Sequence, residues 1–295
     1  MRVPSRIPSG EHRIRIQWEG CGQKLERVFT FTMENPDFGK PVSDPDVEAL
    51  AQANPDAKVA VLQQGLPGAG NAPYAGCADT LLDSREPDAN YGAKNHLIAG
   101  PYGGMHQTLI RFDLSALPPG AEIVEARLKL FYHFGSGPRV VRPYRMLKAW
   151  GEGEGMFPQK LRDYYGDRYA DSTRGGREAL DGECAWNFRA RPEPWGLPGC
   201  GKPGDDYDPA SLSEPTFDPA KAEGTDDRSQ QPLRYWVAWG VGEAAKRWVT
   251  EPAANHGLLL RALDGQTGFA FFFSSEFHDL VYRPKLIVVY RPRKE

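Results

Sequence analysis

Apolar and polar positions alternate with a period of two along most of the hydrophobic runs of this chain, which marks half-buried β-strands. The clearest run is EIVEARLKLFYHF, residues 122–134. Shorter ones precede it at KVAVLQ (58–63), CADTLLD (77–83), NHLIAG (95–100) and QTLIRFDL (107–114). RVVRPYRMLKAW (139–150), HGLLLRAL (256–263), FAFFFSS (269–275) and KLIVVY (285–290) follow it. Turns rich in Gly, Pro, Asp and Asn separate these runs. One segment, GEAAKRWVT, has the helical period instead: Val241, Ala244, Ala245 and Trp248 fall on one face, and Pro252 ends it. No βαβ alternation and no repeat of fixed period occurs. The pattern predicts an all-β fold, an antiparallel β-sandwich of the jelly-roll type with long irregular loops and one short helix.

Two alternating runs near the start, His12 to Trp18 and Val28 to Met33, predict a β-hairpin with a long loop within residues 1–35. A lone hairpin is not independently stable in water. Either it packs on the main domain or it is the last piece of a preceding module, and GEHRIRIQW with VFTFTM resembles the closing strands of an immunoglobulin-like module. Residues 36–73 read as a linker in which DVEALAQAN forms a helical turn or two. Residues 74–295 make the sandwich, interrupted by an irregular insertion over 151–235.

Composition sharpens this picture at a few points. The 32 Gly and 26 Pro among 295 residues exclude a helix bundle, and 36 basic against 39 acidic residues argue against a general nucleic-acid binder or a polybasic membrane anchor. No apolar run is long enough for a membrane helix, and MRVPSRIPSGEHRIR lacks the apolar stretch of a signal peptide, leaving a cytosolic protein or the mature part of a secreted one. Cys184 and Cys200 are spaced for a loop-closing disulfide or stand as two buried thiols.

The insertion concentrates the unusual chemistry: its 85 residues hold 21 Gly or Pro together with 17 acidic and 11 basic residues. A segment that long and irregular is functional or disordered, and its aromatic content argues against disorder. WNFRARPEPWGLPGC gathers Trp186, Asn187, Arg189, Arg191 and Trp195, with Tyr164 and Tyr165 in the same region. Aromatic rings accept the C–H face of a sugar and guanidinium groups accept carboxylates, so these residues are the candidate ligand site, joined by Lys202 for a uronic-acid polymer. Trp195, between two prolines, reads as exposed, whereas Trp186 reads as a core residue at a strand end or as a platform.

The phrases ADTLLDSREPDANYGAKNHLIAG, LIRFDLSALPPGAEIVEARLKLFY, CAWNFRARPEPWGLPGC, VGEAAKRWVTEPAANHGLLL and FSSEFHDLVYRPKLIVVY, in that order from Ala78 to Arg291, resemble the DNRLRE-domain family. That resemblance implies a secreted β-sandwich module of alginate-binding or other carbohydrate-binding type, acting on polysaccharide at the cell surface or outside the cell, beside other domains of a parent protein or other copies of itself. The longer middle region and the first 77 residues depart from the family pattern.

Three chemistries remain to be placed. Asp83, Asp88 and Asn90 crowd one loop with oxygen ligands suited to calcium, or close it as an Asx-turn without metal. Sandwich modules of this kind often hold one structural calcium where first and last strands meet, which adds Asp79 and Asp279. Asp113 and Ser115 in RFDLSALPPGA are set to cap a bend. A polysaccharide lyase would need a base such as Tyr102, His106 or Tyr165 beside Arg189, and the spacing gives that reading no support. The third alternative is a structural or adhesive module of a surface layer or filament, with residues 1–35 donated as a strand pair.

Overall fold

The computed structural model describes residues 10–20, 23–33, 44–66, 73–136, 140–155, 176–217, 219–225 and 232–293. The chain divides into two units, residues 1–42 and 43–295. In the first, β1 (Gly10–Gly20) and β2 (Gln23–Met33) form an antiparallel hairpin. Gly20 pairs with Gln23, so the strands run longer and the connection is tighter than the alternation indicated.

The second unit opens with α1 (Pro45–Ala53), followed by β3 (Lys58–Gln63), β4 (Cys77–Asp83), β5 (Ala89–Asn90), β6 (His96–Pro101), β7 (Met105–Phe112), β8 (Glu122–Ser136) and β9 (Val141–Met146). Short pieces then cross the irregular region: β10 (Arg177–Glu178), β11 (Phe188–Ala190), β12 (Glu193–Pro194), β13 (Tyr207–Ser211), β14 (Gly224–Thr225) and β15 (Pro232–Leu233). β16 (Tyr235–Gly240), α2 (Gly242–Thr250), β17 (Leu258–Ala262), β18 (Phe269–Phe273) and β19 (Lys285–Arg291) complete it. Strands dominate and every strand pairing is antiparallel among the described residues, as the period-two runs require.

Eleven strands form one curled sheet in the order β13-β9-β17-β7-β6-β18-β8-β19-β3, with β4 beside β7 and β16 beside β8. β6 is the corner: Gly100 and Pro101 pair with β7, whereas His96 to Ala99 pair with β18. The curl closes a sandwich-like core in which Ile110, Phe112, Leu258 and Leu260 from one half meet Leu128, Leu130, Phe272 and Val288 from the other. Ala244, Ala245 and Trp248 of α2 join that core, on the face the helical period marked.

Helix α1 covers the back of the second half, where Leu50 packs on Ile287 and Val289. Thus the stretch read as linker contains both a helix and the edge strand β3, which pairs along β19. Asp44 caps α1 through the N–H of Asp46 and also accepts from Lys129 Nζ at 2.9 Å and Lys285 Nζ at 2.8 Å. Burial alone would raise the Asp44 pKa, but the two ammonium groups outweigh it and hold the carboxyl at about 2. Because its folded pKa is depressed, the stability Asp44 contributes is present above pH 4 and lost as pH falls toward 2. Asp44→Asn should therefore remove about 2 kcal/mol at neutral pH and flatten the acid limb of the stability profile, measured by urea unfolding from pH 2 to 7.

Candidate functional site

The described residues 176–210 of the irregular region fold inward rather than outward. Trp195 is 4% exposed, in a cluster with Met146, Trp150, Cys184, Cys200, Leu109 and Leu259 on the outer face of the β4, β7, β17 and β9 half. Its indole N–H donates to Ala185 O at 2.9 Å. The expectation that Trp195 is exposed is thus corrected: the flanking prolines shape a loop that turns the ring onto the sheet. Trp186 is half-buried against the same cluster, its ring so close to Gly199 that a Cβ there would lie 2.5 Å from it. Gly199 also has a φ of +72°, so glycine is required twice over.

The predicted cations are already paired. Arg189 bonds Glu193 and Ala149 O, and Arg191 Nη1 lies 2.7 Å from both Glu178 Oε1 and Ala179 O. Lys202 pairs with Asp205, and Asn187 Nδ2 donates to Asp88 Oδ1. Cys184 and Cys200 are free and buried, so the disulfide is corrected to the thiol alternative; Cys200 Sγ rests 3.5 Å from Met146 Sδ. Tyr164 and Tyr165 lie outside the described residues. Asp206, which the sequence reading missed, organises the loop: its buried carboxylate accepts from the N–H groups of Gly196, Leu197 and Lys202.

The five candidate calcium ligands are also dispersed. Asp83 is held by Arg85 and the buried His106, which offset its burial and keep its pKa well below the ordinary carboxylate value. Asp88 has Asn187 as a partner, and Asp279 caps the turn at Leu280–Tyr282. Asn90 bonds Glu152 O and Cys184 O and accepts from Gly92 and Gly155, the Asx closure expected without metal.

Asp79 alone enters an acidic cluster, with Glu152 and Glu276, in which one oxygen from each lies within 4.8 Å of the others. Among the described residues β4 pairs with β7 alone, so the outward N–H of Asp79 is free to donate to Glu152 Oε1, at 2.7 Å. Ser275 N donates to Asp79 Oδ2 at 2.8 Å, and Ser275 Oγ to Glu276 Oε1 at 2.7 Å. Asp79 Oδ1 and Glu276 Oε2 remain buried without a donor. Burial, with the neighbouring carboxylates, pushes Asp79 well above its ordinary value. Burial likewise raises Glu152 to about 7, the bond from Asp79 N opposing and the Glu276 charge adding to it. One buried and two half-buried carboxyls this close cannot all ionise unaided. They can share protons, or their hard oxygen donors can coordinate a divalent cation such as calcium, for which the orphaned Asp79 Oδ1 is a ready ligand. Glu152 and Glu276 carried a faint sequence signal, an acid between glycines in GEGEG and one in the turn after FAFFFSS.

A second feature lies on the solvent side of β8 and β18. Phe271 pairs with Phe134 but Phe272 with Tyr132, so His133 is a bulge residue. The extra residue sets His133 and Phe134 on one face, both against Phe271 at 5.9 and 5.6 Å between centroids. Phe134, 42% exposed, also touches Phe269, and Tyr102 lies 4.7 Å from Phe269. Tyr102, Phe134 and Phe269 form an aromatic ledge on the sheet, Phe134 exposed and the other two partly buried against the cluster of Phe271.

No protein-family model matches this chain, and no curated protein matches it.

Proposed function

We propose that the chain is a noncatalytic carbohydrate-binding module of a secreted or surface protein. The observation that carries this reading is the ledge of Tyr102, Phe134 and Phe269, whose half-exposed rings stand where the C–H face of a sugar could stack. The resemblance of the ordered phrases to DNRLRE-domain modules supports the same class. In this reading the ligand face moves from the Trp195 loop, whose aromatics and cations are engaged internally, to the sheet. Calcium held by Asp79, Glu152 and Glu276 would tie β4 to the turn after β18 and to the segment after Trp150, as a staple and not a reactant.

Affinity electrophoresis against alginate, pectin, laminarin, chitin and cellulose tests the proposal. At least one polymer should retard the protein, and Phe134→Ala should weaken that binding about tenfold while costing about 1 kcal/mol of stability or less, the worth of the exposed aromatic contacts. Absence of retardation by every polymer would count decisively against it.

A further inference from the structure

Most described arginines of the second unit face a carboxylate: Arg85 pairs with Asp83, Arg142 with Glu214, Arg145 with Asp208 and Arg177 with Glu183. Arg111 has no such partner among the described residues. It is also the exception to burial in β7, where every residue from His106 to Phe112 is buried except Arg111, which is partly exposed. Its guanidinium carbon lies over the Trp150 ring, 5.4 Å from the centroid, a cation–π contact that holds the side chain in place.

The surroundings of this guanidinium are set by three segments. Leu258 pairs with Ile110, so Gly257 falls opposite Arg111. A Cβ at Gly257 would lie 2.8 Å from Arg111 Cβ, and a φ of +79° favours glycine there, so the position beside Arg111 carries no side chain to cover it. Trp150 donates its indole N–H to His256 O at 2.8 Å, and Arg189 Nη1 donates to Ala149 O at 3.2 Å, so both residues border the tryptophan on which Arg111 rests. Partial burial, with the charges of Arg111 and Arg189, holds the partly exposed His256 imidazole below its ordinary pKa, the mark of a positive field at this place. Two acids adjoin it. Glu193 is bonded to Arg189, and Glu152, which feels the Arg111 charge, turns its Oε1 to the N–H of Asp79. Neither is bonded to Arg111.

We infer that Arg111, seated on Trp150, binds the carboxylate of an acidic sugar residue, with Arg189 and His256 beside it. A guanidinium offers parallel N–H donors that match the two oxygens of a carboxylate, and a partly buried one without an acid of its own is set to take one from a ligand. The inference rests on the carbohydrate reading and narrows it to uronic-acid polymers. The contact stands on the β7 and β17 half of the sheet, apart from the Phe134 ledge on β8 and β18.

The test is calorimetric titration of the full chain with hexagalacturonate and hexamannuronate, each as the free acid and as the methyl ester, and with cellohexaose. At least one free acid should bind, and its ester should bind about tenfold more weakly or worse, the worth of hydrogen bonds to a charged group. Arg111→Gln should abolish that preference and leave the melting temperature nearly unchanged. Should this variant not fold, the Arg111 Nε–H signal of ¹⁵N-labelled wild type serves instead: the acid should move it and the ester should not, and a signal that the bound acid leaves in place overturns the site. Equal binding of acid and ester, or binding of cellohexaose alone, overturns the inference and leaves the carbohydrate reading standing. An acid preference that survives Arg111→Gln means that another group reads the carboxylate, and the site is wrong. If no hexamer binds, both readings fall.

Discussion

Trp195→Ala should lower the free energy of unfolding by about 3–5 kcal/mol, the range for deleting a large buried aromatic side chain. A surface platform would tolerate that change with almost no loss. The difference follows from the cluster under the irregular region: removing the indole strips contacts from Trp150, Met146 and Leu259 and takes away the shorter of two hydrogen bonds to the Ala185 carbonyl, leaving the one from Phe188 N. The denaturant midpoint should fall with an unchanged slope, since the sheet itself persists. A shift worth less than 1 kcal/mol would show that the ring faces water in solution.

Calcium in large excess should stabilise the second unit by about 4 kcal/mol when its concentration is a thousand times the dissociation constant, and EDTA should reverse the gain. The sign with pH follows from the raised carboxyls. Glu152 has a folded pKa of about 7 against an ordinary value of 4.5, so without a cation its protonated form supports the fold below pH 4.5. That support is lost as pH rises through 7, and a bound cation replaces the proton there. The melting-temperature difference between calcium and EDTA should accordingly be larger at pH 8 than at pH 5, and Glu152→Gln should abolish most of it. If calcium and EDTA give the same melting temperature at pH 8 while Asp79→Asn raises it, the cluster is a proton-sharing set of carboxyls and the staple is wrong.

The fold was legible where apolar runs are bounded by turn residues. KVAVLQ and CADTLLD coincide with β3 and β4, and the face of α2 follows from Val241, Ala244, Ala245 and Trp248. The Asp113 cap was legible too, because an Asx bend is decided within three residues. What stayed hidden depends on contacts between distant residues. Nothing near Trp195 records that Leu109 and Leu259 lie beneath it, and nothing near Arg191 announces that Glu178 neutralises it. The acidic cluster draws on positions 79, 152 and 276, brought together by the fold, so analogy to related sandwich modules offered Asp79 and local spacing found none of the three. The ledge depends on a bulge, which breaks the alternation by one residue that periodicity treats as noise.

Strand β8 sets a condition on how this chain is made. Its neighbours are β16, β18 and β19, which begin at residues 235, 269 and 285, whereas β8 itself ends at Ser136. During synthesis from the N-terminus, its two hydrogen-bonding edges stay unpaired until residues 235–291 have left the ribosome. Such non-local pairing makes for slow folding and a long interval in which an unpaired strand can find the wrong partner. The native partner with the fullest register along β8, β19, emerges after the other two. A chain that stops short of Lys285 would leave β8 with an open edge.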